Sequence, residues 1–340
     1  MSAIAPTPRD HGAIRAVLRR HGDALPRASI GTVPILWNNV DVAELRHGTD
    51  AATVLDEITR TGFEGTQLGL GFPTGDDLRS ALGARGLRLA EVYAAIPATV
   101  DGPTDGTMAE LRERLRLLHE ADGEVLCLAL DQSPGREERA GRATTPGTPV
   151  LSDAGWASLA EVVHAIATEA RGLGHRTVFH PHGGTFVETP AEVERLVAAT
   201  DADLVGICLD VGHLIVGGGD PVGTLTALGE RVTHVHLKDV DAAVLARLRT
   251  GGLAGFDAAI RERLFTELGA GVLDLDGVIA ALVRRDYDGW LMVEQDSCWG
   301  PPSESAAIGR RVLAGALRRA GAATRNDTAT TAPHGQNGGT

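Results

Sequence analysis

Short apolar runs alternate with longer amphipathic segments along most of the chain. Runs rich in Val, Ile and Leu predict strands, and segments with apolar residues at helical spacing predict helices. Eight strands are predicted, at 30–36, 65–68, 87–93, 125–130, 177–179, 205–209, 233–237 and 290–293. The main predicted helices lie at 51–61, 76–85, 107–121, 152–172, 190–199, 275–285 and 303–320. This order indicates repeated βα units.

Eight strands that alternate with helices predict an α/β fold, a (β/α)8 TIM barrel built as a single domain. A doubly wound open sheet is the alternative. Such a sheet usually ends at about six strands and carries a Gly-rich phosphate turn after its first strand, which this sequence lacks. The pattern therefore favours the closed barrel.

Three regions depart from the regular spacing. Residues 1–28 predict a polar N-terminal extension with a short helix, ahead of a catalytic barrel over 29–320. Residues 321–340 are rich in Gly, Thr and Asn and predict a disordered C-terminal tail, because they cannot bury an apolar face. The stretch 239–268 is long for a connection between a strand and its helix, and Gly251 and Gly252 interrupt it. We expect it to be a lid or a subunit contact.

Composition narrows the possible partners. The chain has 340 residues, 43% hydrophobic and 23% charged, as in an ordinary globular protein. Its net charge of −13 argues against nucleic acid as a partner. No window approaches the roughly 20 apolar residues of a membrane span, so we predict no membrane partner. Three widely spaced cysteines, Cys127, Cys208 and Cys298, fit a reducing cytoplasm.

Residues with metal-binding chemistry follow the last four predicted strands. In strand order they are His180 and His182, Asp210 and His213, His236 and Lys238, and Glu294. The C-terminal ends of barrel strands meet at one mouth, so these side chains should converge there. Imidazoles and carboxylates suit a divalent transition metal. A single histidine in a barrel is often structural, but four successive strand ends of this kind favour a metal site.

Several segments carry a family resemblance. They are WNN at 37–39, GFEGTQLG at 62–69, GLRLAEVY at 86–93, FHPHGGTFVETPAEVERL at 179–196, CLDVGHLIVGGGDP at 208–221, HVHLKDV at 234–240 and YDGWLMVEQD at 287–296. Across residues 29–320 the chain resembles the xylose isomerase-like TIM barrel superfamily of sugar isomerases, epimerases and endonuclease IV. Within that superfamily it resembles the inosose dehydratases, the 2-keto-myo-inositol dehydratases of inositol catabolism.

The resemblance implies a metal centre with one ligand from each of the last four strands. These ligands would be His180 or His182, then Asp210, His236 and Glu294. We assign His180 as the first ligand and His182 as a catalytic residue, and leave their exchange open. The ligand set suits Mn²⁺ or Co²⁺, which we favour, and also Zn²⁺ or Fe²⁺.

The histidine at position 180 bears on the reaction that the resemblance implies. Epimerases of the superfamily usually carry glutamate there, and a two-base epimerisation needs a base on each face of the substrate carbon. Histidine therefore favours a metal-dependent lyase that dehydrates a keto-polyol, such as an inosose, through an enediolate. A metal-dependent sugar isomerase or epimerase acting on a ketose is the alternative, and a non-catalytic sugar-binding barrel is a third hypothesis.

Three further residues receive catalytic roles with stated alternatives. Glu294 is the candidate base, or purely a metal ligand. His213 is assigned to substrate hydrogen bonding or acid catalysis, or to a structural role. Lys238 is expected to bind a substrate oxygen or assist the departing hydroxyl, or else to form an ion pair with Asp239.

Two positions differ from the dehydratase pattern. Gln67 stands where those enzymes tend to have glutamate, and Glu91 lies where they carry lysine. Both fall in the half of the barrel that we expect to shape substrate contacts. The partner predicted is therefore a small-molecule polyol or sugar, an inosose or a different keto-polyol, and the sequence leaves a homo-oligomer open.

Overall fold

The computed structural model describes residues 24–330, with side chains as far as Ala323. Most of the predicted N-terminal extension, including its short helix, lies outside the described residues, as does 331–340 of the predicted tail. Residues 321–330, which the sequence assigned to that tail, continue the last helix. Between residues 24 and 330 the model contains no helix that is both long enough and apolar enough to cross a membrane.

Eight parallel strands close into a barrel, and they follow one another around it in chain order. They are β1 Ser29–Thr32, β2 Gly65–Gln67, β3 Arg88–Ile96, β4 Val125–Leu130, β5 Arg176–Phe179, β6 Val205–Asp210, β7 Val232–Leu237 and β8 Trp290–Val293. Closure occurs where β8 pairs with β1, with Ser29 opposite Trp290 and Thr32 opposite Val293. The predicted (β/α)8 barrel is confirmed.

Helices surround this barrel. They are α1 Ala51–Thr61, α2 Gly75–Gly83, α3 Thr107–Glu120, α4 Pro134–Glu137, α5 Asp153–Gly172, α6 Pro190–Ala199, α7 Val211–Val216, α8 Pro221–Leu228, α9 Ala242–Arg249, α10 Phe256–Arg261, α11 Leu275–Arg284 and α12 Pro302–Thr330. All seven main predicted helices are present. The long stretch after β7 folds into α9 and α10 on either side of Gly251 and Gly252.

Local signals explain several element boundaries. The first strand ends at Thr32 rather than at residue 36, because Pro34 has no N–H and begins a 3-10 helix over Pro34–Leu36. Helix α6 begins in a capping box, in which the Thr189 hydroxyl accepts the N–H of Glu192 and the Glu192 carboxylate accepts the N–H of Thr189. Such signals are local, which is why the sequence predicts these starts.

The barrel interior is apolar below its mouth. A cluster of buried side chains fills it: Val33, Ala90, Val125, Cys127, Val178, Cys208, Trp290 and Met292. Gly65 of β2 makes room for the Trp290 ring, because a Cβ there would lie 2.5 Å from the indole. Because apolar side chains fill these lower layers, the candidate site lies above them, at the C-terminal ends of the strands.

Candidate active site

Four side chains from adjoining strand ends meet at the barrel mouth. His180 follows β5, Asp210 ends β6, His236 lies within β7 and Glu294 follows β8. One ligand atom from each lies within 4.8 Å of the others. The sequence predicted this group, with His180 or His182 as its first residue. In the structure, His180 is the one that lies with the other three.

Backbone register and a helix cap aim these side chains. Asp210 pairs with His236 across β6 and β7, so the two side chains share one face of the sheet. Oδ1 of Asp210 accepts the N–H of His213 at the start of α7, which leaves Oδ2 facing the barrel mouth. The backbone N–H of His180 donates to the Leu128 carbonyl of β4 at 2.7 Å.

The distances within the group fit a cation-binding set. Nδ1 of His236 lies 2.6 Å from Oε2 of Glu294 and 3.9 Å from Oδ2 of Asp210. Nε2 of His180 lies 3.5 Å from the same Asp210 oxygen, which is buried and makes no hydrogen bond. A buried carboxylate oxygen without a donor, facing two imidazoles and a second carboxylate, suits a divalent metal ion.

The electrostatics keep both carboxylates ionised. Burial alone would raise the pKa of Asp210, but the ammonium of Lys238 and the nearby imidazoles hold it well below its ordinary value. Burial likewise opposes ionisation of Glu294, and Lys238 and His236 outweigh it, so the pKa of Glu294 is lowered. Both side chains are therefore negatively charged at neutral pH.

Lys238 lies at the centre of three carboxylates. Its Nζ is 3.2 Å from Oδ2 of Asp210, 3.3 Å from Oε1 of Glu294 and 2.7 Å from Oδ1 of Asp296. Burial lowers the pKa of the ammonium, yet these carboxylates raise it above its ordinary value. Lys238 is also the only lysine in the sequence.

The alternative ion pair between Lys238 and Asp239 is wrong. The Asp239 carboxylate turns the other way and accepts the backbone N–H groups of Gly269, Gly271 and Leu273 at 2.8 to 3.1 Å. Asp239 thus fastens the end of the long connection after β7, while Lys238 faces the barrel mouth.

His182 and His213 form a close, tilted pair of rings beside the four candidate metal ligands. Their ring centroids are 3.7 Å apart, and Nε2 of His213 lies 2.9 Å from Nζ of Lys238. Nδ1 of His213 accepts the N–H of Gly183. Burial, together with the nearby charges of His180 and Lys238, lowers the pKa of His182 to about 3. Burial, His182 and Lys238 also hold the pKa of His213 well below its ordinary value.

The long connection after β7 covers this pair. Phe256 of α10 places its ring 5.5 Å from that of His182 and 5.6 Å from that of His213. Phe265, at the end of the same connection, lies 5.1 Å from the His213 ring and 4.7 Å from Nζ of Lys238. Sequence reasoning flagged the segment by its length but named neither phenylalanine.

Asp296 is a site residue that sequence reasoning did not assign. Besides its contact with Lys238, its Oδ2 lies 3.9 Å from Nε2 of His213. Burial, with the charges of Glu294 and Asp210, outweighs Lys238 and raises the pKa of Asp296 to about 8. The signal was its position, two residues after Glu294 at the same strand end.

Two buried glutamates lie close to the site without facing the barrel mouth. Glu91 is fully buried beneath His236. We expected it to shape substrate contacts, but a fully buried side chain is not available to the substrate. Glu188, for which the sequence suggested no role, accepts the backbone N–H groups of Gly141 and Gly184 at 2.7 Å. Burial raises the pKa of Glu188 to about 7 despite these donors.

Comparison with known proteins identifies the family to which this chain belongs. A sequence profile described as xylose isomerase-like TIM barrel matches residues 55–315. The chain belongs to the xylose isomerase-like TIM barrel family. Among its relatives is inosose dehydratase 1 of Bacillus cereus, 31% identical over 287 residues, which make up 84% of this chain and 95% of the relative. The predicted resemblance is confirmed.

Solved structures share the family fold at low identity. L-ribulose 3-epimerase superposes with a TM-score of 0.67 at 16% identity, covering 90% of this chain and 99% of the other. The IOLI protein, solved with a bound zinc atom, superposes with a TM-score of 0.64 at 13% identity, covering 86% of this chain and 98% of the other. Both likenesses concern the barrel alone.

Proposed function

We propose that the protein is a metal-dependent dehydratase that removes water from a keto-polyol, with inososes as the substrate class. The convergence of His180, Asp210, His236 and Glu294 at one barrel mouth carries this proposal. The full-length similarity to an inosose dehydratase supports the substrate class. The net charge of −13 argues for a small uncharged ligand rather than nucleic acid.

His180, Asp210, His236 and Glu294 would hold the cation. A divalent cation there would act as a Lewis acid on the substrate ketone and stabilise the negative charge that develops on its oxygen. Mn²⁺ and Co²⁺ remain the ions that we expect, and the zinc atom of the IOLI protein keeps Zn²⁺ as a candidate.

Glu294 is the proposed base. Its carboxylate is ionised, and His236 and Lys238 orient its two oxygens. The carboxylate takes the proton from the carbon next to the ketone, and the electron pair of that C–H bond moves towards the carbonyl to give an enediolate. Position and charge both suit general base catalysis.

Lys238 is the proposed acid for the departing hydroxyl. In the second step the carbonyl C=O bond of the enediolate re-forms, and its C=C electron pair moves to the bond between the α and β carbons. The C–O bond at the β carbon breaks at the same time, and the hydroxyl leaves as water with a proton from the ammonium. Asp296 contacts Nζ at 2.7 Å and holds it in place. The 3.3 Å contact between Glu294 and Lys238 offers a path for the abstracted proton to restore the ammonium.

A sugar epimerase or isomerase acting on a ketose is the second candidate, supported by the fold shared with L-ribulose 3-epimerase. It would use the same first proton abstraction and then return a proton to the opposite face. His182 would have to serve there, as a neutral imidazole whose ring already packs against that of His213. That arrangement favours the dehydratase.

The reaction can be tested by mass. We would incubate metal-loaded protein with a panel of inososes and ketoses and look for products lighter by one water. Loss of water from an inosose is the expected result, and a product of unchanged mass but different configuration would support the epimerase instead. No change with any member of the panel would contradict both.

The base role of Glu294 has its own test. At saturating metal we expect Glu294→Gln to lose at least about 10²-fold in turnover, because the amide cannot accept the proton. Glu188→Gln is the matched control, since the hydrogen bonds of that buried carboxylate come from the backbone N–H groups of Gly141 and Gly184, and we expect it to keep its activity. A Glu294→Gln protein that binds metal and turns over normally would remove Glu294 from this role.

A further inference from the structure

Glu91 is a carboxylate in the apolar interior of the barrel. It lies within β3, a strand of sequence RLAEVYAAI, and is fully buried. Burying an ionised carboxylate is costly unless specific partners stabilise it. Its nearest partners are the imidazoles of His236 and His234.

The Glu91 carboxylate is hydrogen-bonded to the inner side of the His236 ring. Nε2 of His236 lies 3.1 Å from Oε2 of Glu91 with hydrogen-bond geometry. The other nitrogen of the same ring, Nδ1, lies 2.6 Å from Glu294 at the barrel mouth. The His236 ring is therefore held at both nitrogens, with only one of them on the side where the candidate ligands meet.

The His234 ring also lies close to the Glu91 carboxylate, although neither of its nitrogens has hydrogen-bond geometry. Its Nε2 lies 2.9 Å from the same Glu91 oxygen, and the His234 side chain is fully buried. Because His234 and His236 are two residues apart on β7, both point into the barrel and present their rings to Glu91. The carboxylate thus lies between two imidazoles and is hydrogen-bonded to the one of His236.

We propose that Glu91 is a positioning residue for the metal centre, which receives the Nε2 proton of His236 in a hydrogen bond and leaves Nδ1 as the only nitrogen free to bind metal. This inference rests on the proposed metal-dependent function. A metal-bound histidine commonly donates its second N–H to a carboxylate, which fixes the tautomer and makes the ring a stronger ligand. In this chain that carboxylate comes from the opposite half of the barrel.

A second ion offers a different explanation for the same residues. Ligand atoms of Glu91, His234 and His236 also lie within 4.8 Å of one another. However, His236 also belongs to the group at the barrel mouth, so its one ring would have to bind both ions. A second ion on Nε2 would turn His236 into an imidazolate that bridges two metals, which requires the loss of both ring protons. The hydrogen-bonding role needs only the neutral ring.

Zinc affinity tests the role of Glu91 without reference to turnover. We would titrate metal-free parent, Glu91→Gln and Glu188→Gln with Zn²⁺ in competition with a chromophoric chelator. We expect one ion per chain throughout, with affinity about 10- to 100-fold weaker in Glu91→Gln and unchanged in Glu188→Gln. Glu188 is a matched control because it is buried and contacts no residue of the metal-binding group.

Nuclear magnetic resonance of the parent protein needs no variant and so does not depend on the fold of Glu91→Gln. In the zinc-loaded protein with ¹⁵N-labelled histidine, we expect His236 to carry its proton on Nε2 and the metal on Nδ1. A proton on Nδ1 would overturn the proposal, as would a Glu91→Gln affinity within about threefold of the parent. Two zinc ions per parent chain, one of them lost in Glu91→Gln, would make Glu91 a ligand instead.

The outcomes separate this inference from the proposed reaction. A parent protein that binds zinc in the expected way but dehydrates no keto-polyol contradicts the proposed function and leaves the role of Glu91 standing. A dehydratase in which Glu91→Gln binds zinc normally supports the function and overturns the role of Glu91.

Discussion

At the scale of single residues, Lys238 shows how size and charge determine which side chain fits a buried position. Three carboxylate groups approach its ammonium within 3.3 Å in a buried pocket. An ammonium is compact, whereas a guanidinium is a planar fork that needs more room. In a chain whose other basic residues are all arginines, the lysine at this position therefore meets a specific steric demand.

Replacing Lys238 by Met should destabilise the metal-free protein more than the zinc-loaded one. Without zinc, the ionised Asp210 and Glu294 lose their counter-ion, and we expect the free energy of unfolding to fall by about 3–5 kcal/mol. A bound cation replaces part of the missing charge, so the loss should shrink when zinc is present. Urea denaturation with a chelator and with zinc measures both values, and equal losses would contradict the prediction.

Lys238→Arg is the matched variant for size. It keeps the positive charge but introduces a larger head group among the carboxylates. We expect it to lose about as much turnover as Lys238→Met while retaining more stability in the absence of metal. Full activity in Lys238→Arg would show that charge alone is sufficient.

At the scale of elements, the long connection after β7 builds one wall of the site. Asp239 accepts backbone N–H groups at its far end, and α10 lays Phe256 over His182 and His213. The expectation that this segment acts as a lid stays a prediction. Its contact with both imidazoles indicates that it shapes the site.

Phe256→Ala should reduce activity beyond its effect on stability. Removing a buried ring costs about 3–5 kcal/mol, and Leu248→Ala in the same apolar cluster costs a comparable 2–5 kcal/mol. Of these two residues, only Phe256 contacts His182 and His213. We therefore expect kcat/KM to fall at least about 10-fold further in Phe256→Ala than in Leu248→Ala. Melting temperatures and steady-state rates of the two variants check this, and equal rates would exclude a role for the ring.

A histidine pair links two other parts of the barrel exterior. Nδ1 of His119, in α3, lies 2.9 Å from Nε2 of His175, which precedes β5. Nδ1 of His175 lies 3.0 Å from the Gly123 carbonyl and donates to it when the ring is neutral. Half-burial of the ring is the main reason that the pKa of His175 is lowered.

Stability should fall with acid through His175. The unfolded chain protonates this residue near its ordinary pKa, whereas the folded protein resists protonation, so the unfolded state binds more protons as pH drops below about 6.5. His175→Gln keeps a donor for Gly123 and an acceptor for His119 but cannot titrate. Its free energy of unfolding should vary less than that of the parent between pH 7 and pH 5. An unchanged slope would contradict this.

The elements and the ligand set could be predicted because their signals are local. Apolar runs, caps and the polar residues at strand ends all lie within a few positions of one another. Glu91 and His236, by contrast, are 145 residues apart, and only closure of the barrel brings them together. In hindsight the signal was a charged residue inside an apolar strand. Nothing local to Phe256 indicates where a long connection folds back.

At the scale of the whole molecule, the four candidate metal ligands all come from one half of the barrel. β5 to β8 supply the four metal-binding side chains, while β3 supplies Glu91 from the other half. A cation held by four separate strand ends can bind only when all of them are in register, so metal binding and barrel formation are coupled.

Removing the metal should therefore lower the stability of the entire barrel. A ligand that binds only the folded state stabilises it by about 4 kcal/mol at a free concentration 1,000 times its Kd. We expect the parent to gain about this much in zinc over chelator, and Asp210→Asn to gain much less because the amide is a poor ligand. Urea denaturation of both proteins measures the difference. If the free energy of unfolding of the parent is the same in zinc and in chelator, no metal centre joins these strands. That result would contradict the proposed metal-dependent reaction.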